Sequence, residues 1–278
     1  MTAVSLADVL KPAMDQNYAL AGLVVLGWED ARAYVEAAEE TGLPIILQAG
    51  PGCRAHTPLP ILGKMFRHLA EQASVPVVCH IDHGYSVEDC MQGIDNGFTS
   101  VMFDGSKLDI SENIDITAEL VGVAHAAGVS VEGEVGFVGY AEGAASATTS
   151  PAEAERFDLE TGADALAISI GNVHLKTEKT TGIDFDALKA VEAVTRIPLV
   201  LHGGSGIPEE TRIRLAHESR VCKFNVGTEL RMAFGDALRR SLADQPDTFD
   251  RVALLSPTID PVKRATIAVI SAITNQKN

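Results

Sequence analysis

Eight apolar runs bounded by Gly, Pro or Asp recur along the chain, near residues 18–26, 43–49, 75–82, 98–103, 129–135, 163–170, 197–203 and 220–226. Segments of helical period separate them, near 29–41, 58–73, 86–96, 111–127, 150–161, 184–195, 208–219 and 228–243. The runs are continuous rather than alternating, as in Leu43-Pro-Ile-Ile-Leu-Gln-Ala and Pro198-Leu-Val-Leu. That is the pattern of strands covered on both faces, which pair in parallel. Strand and helix alternating eight times predicts an α/β fold, a TIM-type (β/α)8 barrel. A helix near 5–16 precedes the first strand, and a C-terminal helical extension near 259–275 follows a polar, Pro-containing stretch at 242–261. A chain of 278 residues is an ordinary length for such a barrel, so one domain over 1–278 is expected.

Composition narrows the setting. Apolar residues make up 46% of the chain and charged residues 22%, and no stretch approaches the about 18 consecutive apolar residues that a membrane span needs. The start, Met1-Thr-Ala-Val-Ser-Leu-Ala-Asp, lacks a basic region followed by an apolar core, so no signal peptide is read and a cytoplasmic location is expected. Cys53, Cys79, Cys90 and Cys222 are too few and too scattered for a disulfide framework, and read as reduced packing residues. The formal charge of -16 disfavours nucleic acid and anionic membrane as partners through long-range repulsion. A small anionic substrate then requires concentrated local positive charge, which a bound divalent cation supplies.

Three histidines stand at the ends of such runs. His83 ends Val75-Pro-Val-Val-Cys-His-Ile-Asp-His, His174 follows Ala163-Asp-Ala-Leu-Ala-Ile-Ser-Ile-Gly-Asn-Val, and His202 ends Ile197-Pro-Leu-Val-Leu-His. Taken singly, each reads more simply as a satisfied interior or rim histidine. Together they fall at the C-terminal ends of the third, sixth and seventh barrel strands, the catalytic face of this architecture, and three imidazoles with an open position suit a catalytic zinc ion. His68, His125 and His217 fall on helices and are expected to face solvent, His80 lies within the third run, and His56 is left ambiguous in a loop after the second.

Acids surround the histidines. Asp82 precedes His83, so it either shuttles protons beside a metal or holds a histidine tautomer from behind. Glu132 and Glu134 flank Gly133 and share one strand face; for them, as for Asp104 at the end of the fourth run, a structural ion pair competes with a role in the site. Two glycine-bearing turns follow the last two runs, His202-Gly-Gly-Ser-Gly-Ile-Pro and Phe224-Asn-Val-Gly-Thr-Glu. Tight turns alone want glycine, but on adjacent strands the pair also suits phosphate bound by backbone N–H groups at a helix N-terminus. The small-residue stretch at 139–150 is either a plain connector or a loop that closes over substrate.

The motifs His80-Ile-Asp-His-Gly, Val131-Glu-Gly-Glu-Val-Gly, Leu201-His-Gly-Gly-Ser-Gly and Lys223-Phe-Asn-Val-Gly-Thr-Glu-Leu, in this order, resemble the class II, metal-dependent fructose- and tagatose-bisphosphate aldolases. The resemblance covers nearly the whole chain. It implies His83, His174 and His202 as zinc ligands, with Zn2+ or another divalent metal as cofactor and a monovalent cation near the phosphate. It implies Asp82 as the acid and base at the aldehyde-derived hydroxyl, and Glu142 as the loop base at the dihydroxyacetone phosphate carbon. Asp104 and Glu134 match an alternative metal position; Leu175, Gly203, Gly204, Ser205, Asn225, Val226, Gly227 and Thr228 match the segments that hold the ketose phosphate.

The implied activity is reversible cleavage of a phosphorylated ketose to dihydroxyacetone phosphate and an aldehyde through a zinc-stabilised enediolate, in a homodimer or homotetramer. The chain departs from the family's usual residues at four places. It has Ala21-Gly-Leu-Val where Ala-Phe-Asn is common, Gly50 for Ser or Thr, Tyr140 for Gly, and Leu175 for a glycine whose backbone nears the phosphate. A modified substrate, deoxy or acidic, is therefore the alternative within the same mechanism, and a non-catalytic barrel subunit or sensor is the alternative outside it. Arg54 is a candidate for a charged far end of such a substrate, and Lys176 and Lys179 for phosphate near His174; exposed, solvated side chains are the plain alternative for all three.

Overall fold

The computed structural model describes residues 2–274. The chain opens with β1 (Ala3–Val4), α1 (Leu6–Gln16), β2 (Leu20–Val24), α2 (Trp28–Thr41), β3 (Ile45–Ala49), α3 (Pro51–His56) and α4 (Leu59–Gln72). It continues through β4 (Val77–Gly84), α5 (Val87–Asp95), β5 (Ser100–Phe103), α6 (Ile110–Ala126), β6 (Ser130–Val135), α7 (Pro151–Thr161), β7 (Ala165–Ile168) and α8 (Phe185–Val194). It ends with β8 (Leu199–Leu201), α9 (Glu209–Glu218), β9 (Val221–Val226), α10 (Thr228–Asp244), α11 (Arg251–Leu255) and α12 (Ile259–Ile273).

Strands β2 to β9 pair in parallel with their neighbours, and β4 pairing with β5 joins the two ends of the sheet. The result is a closed eight-stranded parallel barrel with helices between strands, a TIM barrel, as the alternating runs predict. Each predicted run contains its strand except the third, where β4 continues two residues past 82 to Gly84. Three short elements carry too little pattern to have been read: β1, which pairs Ala3 with Val77 and Val4 with Val78 on β4; α3, expected as loop; and α11, within the polar stretch. The expected helix end at 275 lies outside the described residues, and no helix among them is long and apolar enough to cross a membrane.

Two apolar layers follow from strand alternation. Outward strand residues such as Leu47, Ile81, Val101 and Phe224 pack against the helices with Tyr34, Phe66 and Phe157. Inward residues Leu20, Ile46, Val78, Met102, Ala165 and Val200 meet Leu6, Val9, Leu10 and Ala13 of α1. The first helix therefore stoppers the N-terminal mouth of the barrel. Ser5 caps it, its hydroxyl accepting from the Asp8 amide while Asp8 accepts from the Ser5 amide.

One glycine sets the direction of two site residues. A Cβ at Gly133 would stand 2.2 Å from Cζ of Phe157, so β6 accepts that ring only with hydrogen on its outer face at this position. Glu132 and Glu134 on either side then point inward.

Candidate active site

The interior of the barrel turns polar toward its C-terminal mouth. His83 adopts a left-handed backbone (φ 50), uncommon outside glycine, at the end of β4. Through that twist both Asp82 and His83 reach one site, although consecutive residues of a regular strand point apart. Arg54 holds the twisted end: Nη1 donates to the carbonyls of Ala49 (2.6 Å) and Asp82 (2.7 Å), and Nη2 to that of His83 (2.9 Å). The sequence-based role of Arg54 at a substrate's far end is thus corrected, because its guanidinium binds strand-end carbonyls and does not line the central cavity.

His83, His174 and His202 converge, with ligand atoms all within 4.8 Å of one another. His83 Nε2 lies 3.0 Å from His202 Nδ1, and the His174 ring centre lies 5.2 Å from that of His83 and 5.5 Å from that of His202. Two of the three rings are held from behind. His83 Nδ1 lies 2.8 Å from Asp104 Oδ2, and His202 Nε2 lies 3.2 Å from Glu132 Oε1. Asp104 also accepts from the Ser106 hydroxyl, and Glu132 pairs through Oε2 with the buried Lys223 ammonium at 2.7 Å. Such carboxylates fix imidazole tautomers and leave the opposite nitrogens for a cation. Glu134 Oε2 is buried without a hydrogen-bond partner, and with His83 and Asp104 it forms a second group of the same tightness. These donor sets fit a divalent metal.

Electrostatics separate the rings. Burial disfavours a charged His83, yet the carboxylates of Asp82, Asp104 and Glu134 raise it to about 9. Burial and the neighbouring His83 charge lower His174 to about 4 and push His202 well below the usual range. Burial would raise the Asp82 carboxyl, but His83, His202 and Lys223 outweigh it and keep Asp82 ionised below the ordinary range. Burial, then the Asp104 charge, raises Glu134 to about 8.

A cavity of about 240 Å³ opens over this cluster, lined by Asp82, His83, His174, Leu175, Lys176, Gly203, Ser205, Asn225, Gly227 and Thr228. Asn225 Nδ2 donates to Asp82 Oδ1 at 3.0 Å. Ser205 Oγ accepts from the amides of Gly227 and Glu229 and ties the two glycine-bearing turns together. Leu175 holds φ 57 with a side chain 53% exposed, so a residue with a Cβ occupies a backbone shape that glycine takes without strain.

Several expected positions fall outside this cavity. Gly204 and Val226 are buried in the wall behind it, with the Val226 side chain in the outer core, and Lys179 pairs with Glu229 at 3.0 Å. Glu142 is exposed on the 139–150 segment and does not line the cavity. That segment bends back toward the site: the Ala141 amide donates to the His174 carbonyl, and the His174 amide to that of Gly139. Tyr140 consequently stacks on His174 (centroids 5.0 Å, 27°), and Tyr85 lies face to face with His83 (6.1 Å, 28°).

Sequence reasoning missed Tyr85, Lys223 and Arg231. Lys223 stands inside a quoted motif, and a lysine within an apolar strand run was its signal. Arg231 lies one helical turn beyond Gly227, where only the helical repeat pointed back at the turn.

Comparison with known proteins identifies the family. A family model described as fructose-bisphosphate aldolase class-II matches residues 4–278. A 6-phospho-5-dehydro-2-deoxy-D-gluconate aldolase of Shouchella clausii is 40% identical over 263 residues, covering 91% of this chain and 88% of that protein. A fructose-bisphosphate aldolase of Geobacillus stearothermophilus is 38% identical over 274 residues, covering 96% of this chain and 95% of that protein. The crystal structure of the YdjI aldolase from Escherichia coli K12 superposes with a TM-score of 0.87 at 32% identity, covering 99% of both chains. With a match of this extent over a barrel whose three histidines meet at the C-terminal mouth, the chain belongs to the class II fructose-bisphosphate aldolase family and is an aldolase, a carbon–carbon lyase.

Proposed function

We propose that the enzyme cleaves a phosphorylated ketose reversibly into dihydroxyacetone phosphate and an aldehyde, with zinc as its resident metal. The observation that carries this reading is the meeting of His83, His174 and His202 at a cavity that the buried Asp82 also lines. When bound by the three imidazoles, the ion supplies Lewis-acid stabilisation of the negative charge that develops beside the ketose carbonyl. Asp82 takes the proton from the hydroxyl on the aldehyde-derived carbon during cleavage and returns it during synthesis. Asn225 orients that carboxylate through its hydrogen bond to Oδ1. The backbones of Leu175, Gly203, Ser205, Gly227 and Thr228 hold the ketose phosphate, with Lys176 adding positive charge. Glu142 moves the proton at the dihydroxyacetone phosphate carbon once the 139–150 segment folds inward.

Metal analysis of variants tests this reading. His202→Ala is expected to lose stoichiometric zinc together with cleavage activity. Asp82→Ala keeps its zinc and loses about 10²–10⁴-fold in turnover, the usual contribution of a positioned acid or base. In Glu142→Ala, exchange of the dihydroxyacetone phosphate carbon-bound proton falls by a similar factor. Full metal content in His202→Ala overturns the ligand assignment, and normal exchange in Glu142→Ala removes that residue from the reaction.

A second substrate reading is favoured by the cavity wall. Val24 and Gly50 present no polar side-chain atom to the cavity, and a relative at 40% identity is named for a phosphorylated deoxygluconate. The substrate of this chain is then a ketose phosphate with an acidic group at its other end.

A further inference from the structure

Two of the three converging histidines are oriented by carboxylates, His83 by Asp104 and His202 by Glu132. His174 is not. Among the described residues its ring nitrogens make no hydrogen bond, and it is the one member of the trio that is only partly buried. An imidazole free to turn about its side-chain bonds presents its ligand nitrogen in several directions, and the entropy lost on fixing it opposes metal binding.

What fixes His174 comes from the 139–150 segment. The backbones of Tyr140 and His174 form a parallel bridge: the His174 amide donates to the Gly139 carbonyl at 2.8 Å, and the Ala141 amide to the His174 carbonyl at 3.0 Å. The Tyr140 ring then lies on the His174 ring, with centroids 5.0 Å apart and planes 27° from parallel. That spacing falls in the range of about 4.5–7 Å over which aromatic rings attract. The segment is itself pinned at its base. Phe137 and Ala147 exchange backbone hydrogen bonds, and Ser146 Oγ accepts from the Gly139 amide and donates to the Asn172 carbonyl, two residues before His174. Tyr140 therefore meets His174 from a fixed support, as carboxylates meet the other two rings. His83 also faces an aromatic ring, that of Tyr85, but at 6.1 Å and with Asp104 already holding Nδ1.

We propose that Tyr140 is a positioning residue for His174: its ring fixes the third imidazole by stacking, and so couples docking of the 139–150 segment to metal binding. The inference rests on the metal-dependent aldolase reading above and deepens it, because Glu142 lies two residues along the same segment. Coupling of this kind is reciprocal. The docked segment raises affinity for the ion, and the bound ion holds residues 139–141 in place, leaving the exposed tip that carries Glu142 to move.

Zinc affinity, measured by competition with a chromogenic chelator, tests the positioning role. Tyr140→Leu, which keeps apolar bulk without a flat face, is expected to bind zinc about 10-fold more weakly than the wild type. Losing a group that orients a metal-bound imidazole usually costs about 10–100-fold, and a stacking contact belongs at the low end of that range. Tyr140→Phe keeps the ring and is expected to keep wild-type affinity. Unchanged affinity in Tyr140→Leu, or an equal loss in Tyr140→Phe, overturns the proposal. Where Tyr140→Leu does not fold, Tyr140→Ala supplies the same comparison. Amide hydrogen exchange, followed by mass spectrometry on peptides spanning 137–147, tests the coupling. Zinc is expected to slow exchange there by up to about 10-fold in the wild type, and this slowing is lost in Tyr140→Leu. Exchange that does not respond to zinc in the wild type, or responds equally in Tyr140→Leu, overturns the coupling. Stoichiometric zinc in His202→Ala sinks the metal reading on which the inference rests, whereas zinc binding that depends on His202 but not on Tyr140 sinks only the role of Tyr140.

Discussion

His83 joins the two halves of the site. Its Nδ1 meets Asp104, its Nε2 faces His202, and its left-handed backbone lets Asp82 reach the same cavity. The identity and strand-end position of this histidine were legible in the chain, because a polar residue closing an apolar run is a local signal. Its backbone twist was not, since that depends on Arg54 gripping carbonyls of two strands. The cysteines illustrate the simpler case. All four are free and buried, and burial raises Cys53 from 9.0 to about 11 and Cys79, Cys90 and Cys222 to about 12. A thiol whose folded value is raised stabilises the fold fully below its ordinary value near 9, and that contribution is lost as pH rises through 11 to 12. Native protein at about pH 8 is expected to yield no thiol to an aromatic disulfide reagent and all four after denaturation, while the denaturation midpoint declines above pH 9. Rapid labelling of the native protein would contradict this.

Strands β6 and β9 show how whole segments aim the chemistry. Gly133 lets Phe157 of α7 press on β6, which turns Glu132 and Glu134 inward; Lys223 of β9 then neutralises Glu132. Gly133→Ala is expected to destabilise the protein by about 1–3 kcal/mol in chemical denaturation, the usual cost of overpacking. Adding Phe157→Leu should recover part of the loss; a purely additive pair would mean the two positions do not touch. The helical period located α7 and the apolar run located β6, because both patterns are carried by consecutive residues. Helix α3 escaped notice because Pro51-Gly-Cys-Arg-Ala-His shows no apolar face, and it forms where Arg54 can reach the strand ends.

Across the molecule, α1 closes the end of the barrel opposite the histidines, burying Leu6, Val9, Leu10 and Ala13 against inward strand residues. Leu10→Ala is expected to cost about 2–5 kcal/mol of stability while zinc content stays unchanged, because the cavity it creates lies at the far mouth. Loss of metal at native stability would instead show that the two mouths are coupled. Barrel class, strand order and the three histidines that converge were readable along the chain, since hydrophobic period and strand-end position are properties of neighbouring residues. Which cations face the cavity was not. Arg54, Lys176, Lys179 and Arg231 are all basic residues near loops, and their sequence positions do not distinguish them; the structure ties Arg54 to carbonyls and Lys179 to Glu229, and turns Lys176 and Arg231 toward the cavity. His83 and His202 meet across 119 residues of chain, and contacts of that kind depend on barrel closure and strand register, which no local pattern encodes.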